Sequence, residues 1–258
     1  MNFLHVLILS IVEGLTEFLP ISSTGHLILT TKLLNIASTN FVKTFEIVIQ
    51  LGAIMAIVVL YFKKLVSNLN LLKKLFVAFL PTVVVGFTLY PLIKNFLLGS
   101  SAVTLWALFL GGIGLIIVEK ILPKLHIPNS DSREPTYKQA FLIGIFQSFS
   151  VIPGVSRAAA TIMGGLFSGL SRETATEFSF LLAVPTMFAA TVFDIYKSRQ
   201  MITPGGSLTL FVGTVLSFLF AILAVKFLVG FVKKHDFTIF GIYRIVLAIL
   251  FWLFIATA

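Results

Sequence analysis

Six stretches of this chain stay apolar for about the length that crosses a bilayer: residues 44–62, 75–96, 102–121, 175–195, 207–229 and 238–256. Two further apolar stretches, 2–34 and 138–170, are broken midway by polar groups mixed with Pro, Gly and Ser. Neither reads as one clean helix, and each half is short for a span. A helix–loop–helix that enters the membrane and returns accounts for both, because irregular backbone at membrane depth is tolerated only when it is buried in protein or lines a wet cavity. The pattern predicts an all-α polytopic integral membrane protein with six transmembrane helices and two re-entrant helix–loop–helix segments. The long unbroken runs exclude an outer-membrane barrel, whose strands alternate.

Composition agrees. Of 258 residues, 58% are hydrophobic and 11% charged, where a soluble domain carries about 25% charged residues; the mean hydropathy is +1.05. There is no cysteine, so thiol chemistry is excluded. Met1-Asn2-Phe3-Leu4-His5 lacks the basic region of a signal peptide, so residues 1–19 are expected in the mature structure. A net charge of +9 raises nucleic acid as a partner, but the basic residues lie in short loops, and membrane orientation explains them better. Lys32, Lys43, Lys94, Lys197 and Arg199 fall on the side of the first broken segment, five in all. Twelve fall opposite: Lys63, Lys64, Lys73, Lys74, Lys120, Lys124, Arg133, Lys138, Arg172, Lys226, Lys233 and Lys234. The richer side is expected in the cytoplasm, with both termini and the mouth of the first motif outward.

The two broken stretches resemble each other. Gly14-Leu15-Thr16-Glu17, followed by Pro20 and Ser23, echoes Gly144-Ile145-Phe146-Gln147, followed by Pro153 and Ser156. Three spans separate them, so the second copy enters from the opposite face. The expectation is one membrane domain over 1–258 built as an inverted-topology repeat, with halves of about 1–121 and 138–256 and a site where they meet.

Ionisable groups in hydrocarbon are costly, so their clustering marks a functional site. Glu13 and Glu17 are four apart and share a helix face. They suit a divalent cation whose shell phosphate oxygens complete; a protonated general acid is the alternative. After Pro20, the Ser22-Ser23-Thr24-Gly25 turn offers hydroxyls and backbone N–H groups, which also serve as caps for a returning helix. His26 is a candidate base or nucleophile. In the second segment, Gly154, Ser156, Arg157 and Thr161 surround a helix start, and a guanidinium there suits bidentate phosphate binding. Glu46, Gln50 and Glu177 are candidates for supporting the loops through hydrogen bonds to backbone N–H groups.

At these motifs the chain resembles the undecaprenyl-diphosphate phosphatase, or bacitracin-resistance, family. The run from Glu13 to His26 follows that family's first signature, Pro153-Gly154-Val155-Ser156-Arg157 its second. Ile49-Gln50-Leu51-Gly52-Ala53-Ile54, Glu177 to Pro185 and Tyr243-Arg244 resemble further blocks. The resemblance implies a bacterial cell-membrane enzyme that removes one phosphate from a C55 polyprenyl diphosphate. It also implies an outward-facing site and a divalent-cation requirement (Mg²⁺ or Ca²⁺). Glu13, Glu17, Ser23, His26 and Arg157 match the residues implicated in catalysis. The chain departs from the family's Ser-Arg-Ser-Gly at Ser156-Arg157-Ala158-Ala159, which removes one hydroxyl from the second loop.

The expected chemistry is phosphoryl transfer between the two segments. Either Ser23 attacks with His26 as base, or His26 attacks, or activated water does. The prenyl tail is expected in a lateral groove that reads chain length weakly. A polyprenyl-phosphate transporter or flippase is the main rival, since inverted repeats with broken helices are also a transporter design. A serine protease is a poorer third, because Gly154-Val155-Ser156-Arg157 lacks the second glycine of a nucleophile elbow. The sequence leaves the oligomeric state open, a homodimer included.

Overall fold

A computed structural model describes residues 1–89, 100–121, 134–198 and 206–257, with side chains to 192 and 254 in the last two stretches. Several helices begin where the sequence supplies a capping side chain. Asn2 accepts from the His5 N–H to start α1 (Phe3–Thr16), and Ser22 starts α2 (Ser23–Leu33). Thr39 starts α3 (Asn40–Leu60), which is followed by the short α4 (Phe62–Ser67). Asn68 caps α5 (Leu69–Thr88), and α6 spans Ser101–Ile121. Thr136 and Gln139 form a reciprocal capping box at α7 (Tyr137–Ser148), which tightens into a 3₁₀ turn at Phe149–Val151. Ser156 caps α8 (Arg157–Phe167); α9 (Arg172–Ser198), α10 (Ser207–Val232) and α11 (Thr238–Thr257) follow.

Among the described residues the chain is all-helical, and five helices are long and apolar enough to cross a membrane: α3, α5, α6, the Arg172–Val192 part of α9, and α10. The sixth expected span is a helix, α11, but its side chains are described only as far as Phe254, and it carries Arg244 near its middle. Lys94, Lys124, His126, Arg133 and Arg199 lie outside the described residues. Both broken segments are helix–connector–helix units: α1 and α2 joined through 17–22, α7 and α8 joined through 149–156. Large side chains such as Phe87, Leu208 and Phe211 are exposed on the outside, as expected where lipid is the solvent.

The two broken segments cross into each other's halves. Helix α1 packs on α10, while α7 packs on α5, and α6 packs on α11. Glycine makes the first two contacts close. A Cβ on Gly14 would sit 2.8 Å from Phe220 Cβ, against the Ser217 carbonyl, and one on Gly144 would strike the Ala78 carbonyl. The main core fills the centre, with Phe18, Ile54, Leu75, Ile143, Ile162 and Phe180 among its members. Phe18 and Phe180 meet edge to face at 5.6 Å, so the first connector is anchored on α9.

Candidate functional site

The connectors end in matching backbone. Ser22 and Ser156, the caps of α2 and α8, take φ of 72° and 73°, a left-handed conformation rare for residues with side chains. Each hydroxyl accepts from an N–H three residues on, at Gly25 and Ala159. This corrects the expected register by one residue: Ser22 corresponds to Ser156, so Ser23 corresponds to Arg157. The second connector also needs a glycine. Gly154 has φ of 95°, and a Cβ there would meet the Thr104 carbonyl and sit 3.0 Å from the Ala107 side chain.

Between the connectors lies a cleft of about 180 Å³. Glu17, Ser22, Ser23 and Thr24 line it from the first segment, and Ser150, Gly154, Ser156 and Arg157 from the second. Gln50 of α3 and Thr186 and Met187 of α9 complete the wall. Both α2 and α8 start at this cleft, so two helix N-termini with their unshared N–H groups and positive dipole ends converge on it.

One chain of polar contacts joins the halves. Ser23 Oγ donates to Glu17 Oε2, and Arg157 Nη2 donates to Glu17 Oε1 at 3.0 Å. Arg157 Nη1 donates to the Ser179 carbonyl at 3.0 Å, its guanidinium lies 5.5 Å from the Phe18 ring centre, and its buried Nε–H has no partner. A guanidinium with a spare donor beside a carboxylate-held hydroxyl is suited to an anionic oxygen.

Several expected site residues lie elsewhere. His26 does not reach Ser23. Its Nδ1 is 2.7 Å from the Ser22 carbonyl, which can only accept, so Nδ1 carries the proton; Nε2 then accepts from the Tyr243 hydroxyl at 2.7 Å. Both ring nitrogens are occupied, and Ser23 turns to Glu17 instead. Thr161 is off the cleft: its hydroxyl donates to its own helix at Arg157 O and shares a 2.6 Å bond with Ser179 Oγ. Gly25 is buried against Leu108 rather than open to the cleft. Glu177 supports neither loop. It pairs with Lys64 at 2.9 Å at the far end of the molecule, because α9 carries it away from the connectors. Gln50 lines the cleft; Glu46, one turn earlier, lies off it and acts electrostatically on Glu13.

Glu13 is 1% exposed, and neither carboxylate oxygen has a hydrogen-bond partner. A buried carboxylate without a partner is costly; its neighbour Glu17 is one turn away and lines the cleft, with both of its oxygens engaged by Ser23 and Arg157, whereas Glu13 does not line it. No cluster of three or more His, Cys, Asp or Glu side chains holds a metal among the described residues. A cation here therefore needs oxygens from elsewhere, as a phosphate supplies.

The sequence places Arg244 in the family-like Tyr243-Arg244 pair but assigns it no role. Arg244 is fully buried, and its five N–H donors reach five carbonyls: Leu108 and Ala107 on α6, Pro20 on the first connector, Gly154 and Val155 on the second. One side chain thus ties both connectors to α6. A second polar link uses Gln147, which donates to Thr82 at 2.8 Å and accepts from Thr186 at 3.4 Å. Arginine inside an apolar span is the signal that would have flagged the first.

A model of the family described as bacitracin resistance protein BacA matches residues 6–250. The chain is 50% identical over 247 residues to an undecaprenyl-diphosphatase of Aquifex aeolicus, covering 96% of each. It is 50% identical to one of Persephonella marina, covering 99% of this chain and 100% of the relative. To one of Bdellovibrio bacteriovorus it is 45% identical, covering 100% and 97%.

Proposed function

Since the chain belongs to the bacitracin resistance protein BacA family, we propose that it hydrolyses undecaprenyl diphosphate to undecaprenyl phosphate and inorganic phosphate within the cell membrane. The observation that carries this reading is the Ser23–Glu17–Arg157 chain across a cleft where two helices begin. The diphosphate lies against the N-termini of α2 and α8 and the spare Nε–H of Arg157. Ser23 Oγ attacks the terminal phosphorus while its proton passes to Glu17. The bond to the bridging oxygen breaks, and undecaprenyl phosphate leaves with the electron pair and takes the proton from Glu17. Water then attacks the phosphoserine with Glu17 as base, and the proton returns to Ser23 as phosphate departs.

Arg157 neutralises charge gathering on the phosphoryl oxygens, the largest contribution in such transfers. His26, with both nitrogens engaged, holds the α2 start rather than the proton. Glu13 and Glu17 would hold a divalent cation, Mg²⁺ or Ca²⁺, which supplies charge neutralisation at the phosphates when bound. The crossed packing of α1 on α10 and α7 on α5 supports the inverted repeat; six spans, two re-entrant segments and a cleft facing outward complete the proposed arrangement.

The test is phosphate release by purified protein from undecaprenyl diphosphate. Ser23→Ala and Glu17→Gln should each lower kcat by about 10²–10⁴-fold, and EDTA should suppress release in the wild type. With terminally ³²P-labelled substrate, label should be trapped on Ser23. Turnover with labelled His26, or with no labelled protein and an active Ser23→Ala, would replace the serine route.

A further inference from the structure

The Arg157 guanidinium spends its Nη2 donors on two acceptors of very different strength. One goes to the Glu17 carboxylate at 3.0 Å, the other to the thioether of Met187 on α9, with Sδ at 3.4 Å. A thioether sulfur is a weak acceptor. It holds this donor in place and releases it readily to an incoming phosphoryl oxygen.

Met187 is the one methionine among the described residues that lines the cleft. It is 6% exposed, but a cleft of about 180 Å³ admits several waters, and hydrogen peroxide is little larger than one. The hydrogen bond to Nη2 engages one sulfur lone pair and leaves the other free. The chain has no cysteine, so a thiolate, the usual first target of a peroxide, does not compete. Met1 and Met55 are far more exposed, at 42% and 48%, and neither lines the cleft.

We propose that Met187 is a reversible oxidation site whose sulfoxide withdraws Arg157 from the phosphoryl group and so silences the cleft. The proposal rests on the phosphatase reading for what Arg157 binds. The free lone pair of Sδ attacks one oxygen of a peroxide, forming the S–O bond as the O–O bond breaks. The sulfide is oxidised by two electrons to the sulfoxide. The peroxide is reduced to water, with the proton of the transferred oxygen passing to the departing hydroxide. The new oxygen stands one bond beyond a sulfur already in contact with Nη2 and is a far stronger acceptor than the thioether. Its bond to the guanidinium is charge-assisted, so the donor is no longer readily released, and the added atom also takes up space in the cleft. Reduction of the sulfoxide restores the thioether.

The test treats full-length protein in lipid nanodiscs with graded hydrogen peroxide, maps the added oxygen on each methionine by mass spectrometry, and measures phosphate release from undecaprenyl diphosphate on the same samples. Release should fall in step with the Met187 sulfoxide. At full occupancy kcat/KM should drop about tenfold to a hundredfold, as for one lost charge-assisted hydrogen bond. Methionine sulfoxide reductases of both epimer specificities should restore the rate. Met187→Leu, whatever its starting rate, should keep that rate through the treatment, whereas Met55→Leu should be inactivated as the wild type is. Reductase rescue is read on the wild type, so a Met187→Leu that fails to fold leaves the proposal testable. Inactivation with Met187 unoxidised, full oxidation of Met187 at unchanged kcat/KM, or a Met187 that stays reduced while Met55 is fully oxidised would each overturn it. Head-group binding is read without turnover, as undecaprenyl diphosphate retained by Ser23→Ala protein, and oxidation should weaken it. No release from untreated wild type, with retention that still falls on oxidation of Met187, sinks the phosphatase reading alone.

Discussion

Glu17 holds two groups at once, a hydroxyl from its own segment and a guanidinium from the other, and the arrangement of the cleft depends on that double duty. Arg244 performs the matching task from behind. Its planar fork satisfies five carbonyls, which the three donors of an ammonium cannot do. Each buried carbonyl left without a donor costs about 1–3 kcal/mol. Arg244→Lys should therefore lower the melting temperature by several degrees, at about 2–4 °C per kcal/mol. It should also lower kcat at least about tenfold with KM little changed, since positioning is lost rather than head-group contact. A variant of wild-type kcat would remove Arg244 from the positioning machinery. Of the site residues, Ser23, Glu17 and Arg157 were legible because charge and hydroxyls are conspicuous in an apolar chain. The pairing of Ser23 with Glu17 rather than His26 was not, because it depends on where Tyr243 arrives from a helix more than two hundred positions away.

At the scale of elements, the two broken segments are made possible by close helix crossings. Gly14 and Gly144 stand against carbonyls of α10 and α5, where any Cβ must force the backbones apart. Gly14→Ala and Gly144→Ala should each destabilise the folded protein by about 1–3 kcal/mol, as overpacked cores do. Gly86→Ala on α5, which meets nothing within 4 Å, should be neutral or slightly stabilising and serves as the control in a thermal-shift assay. Equal behaviour of the three would mean the crossings are looser than described. Apolar runs located the spans but not all of their ends: α5 starts at Leu69 against the expected 75, and α3 at Asn40 against the expected 44. The one-residue register between Ser22 and Ser156 was not legible either, because it is set by backbone conformation at the caps and not by similarity of side chains.

Across the whole molecule, one end is bound by ion pairs between helix ends: Lys64 with Glu177, Lys74 with Glu134, and Arg172 with Glu119, which also accepts from the Phe237 N–H. This is the basic end, expected in the cytoplasm. The Lys74 hydrogen bond holds the Glu134 carboxyl below its ordinary range, helped by Asn68. A lowered folded-state pKa contributes stability that is present above the unfolded value and lost as pH falls through the folded one. Glu134→Gln should therefore cost less than about 1 kcal/mol at neutral pH, and the gap from wild type should close on acidification. A gap that widens in acid would contradict the pairing. The chain has no cysteine, so Lys32→Cys and Lys73→Cys each introduce one thiol. An impermeant maleimide on intact cells should label the first and spare the second; the reverse would invert the orientation.

Apolar run length, caps and the isolation of charged residues specify the helices, their membrane setting and the residue types of the site, because these are local or compositional properties of the chain. The convergence of the connectors, the engagement of His26 by Tyr243, the five-carbonyl clamp of Arg244 and the removal of Glu177 to the far end belong to the tertiary structure. Each joins residues far apart in the chain, and which pairs meet is settled by how the halves interlock at Gly14 and Gly144.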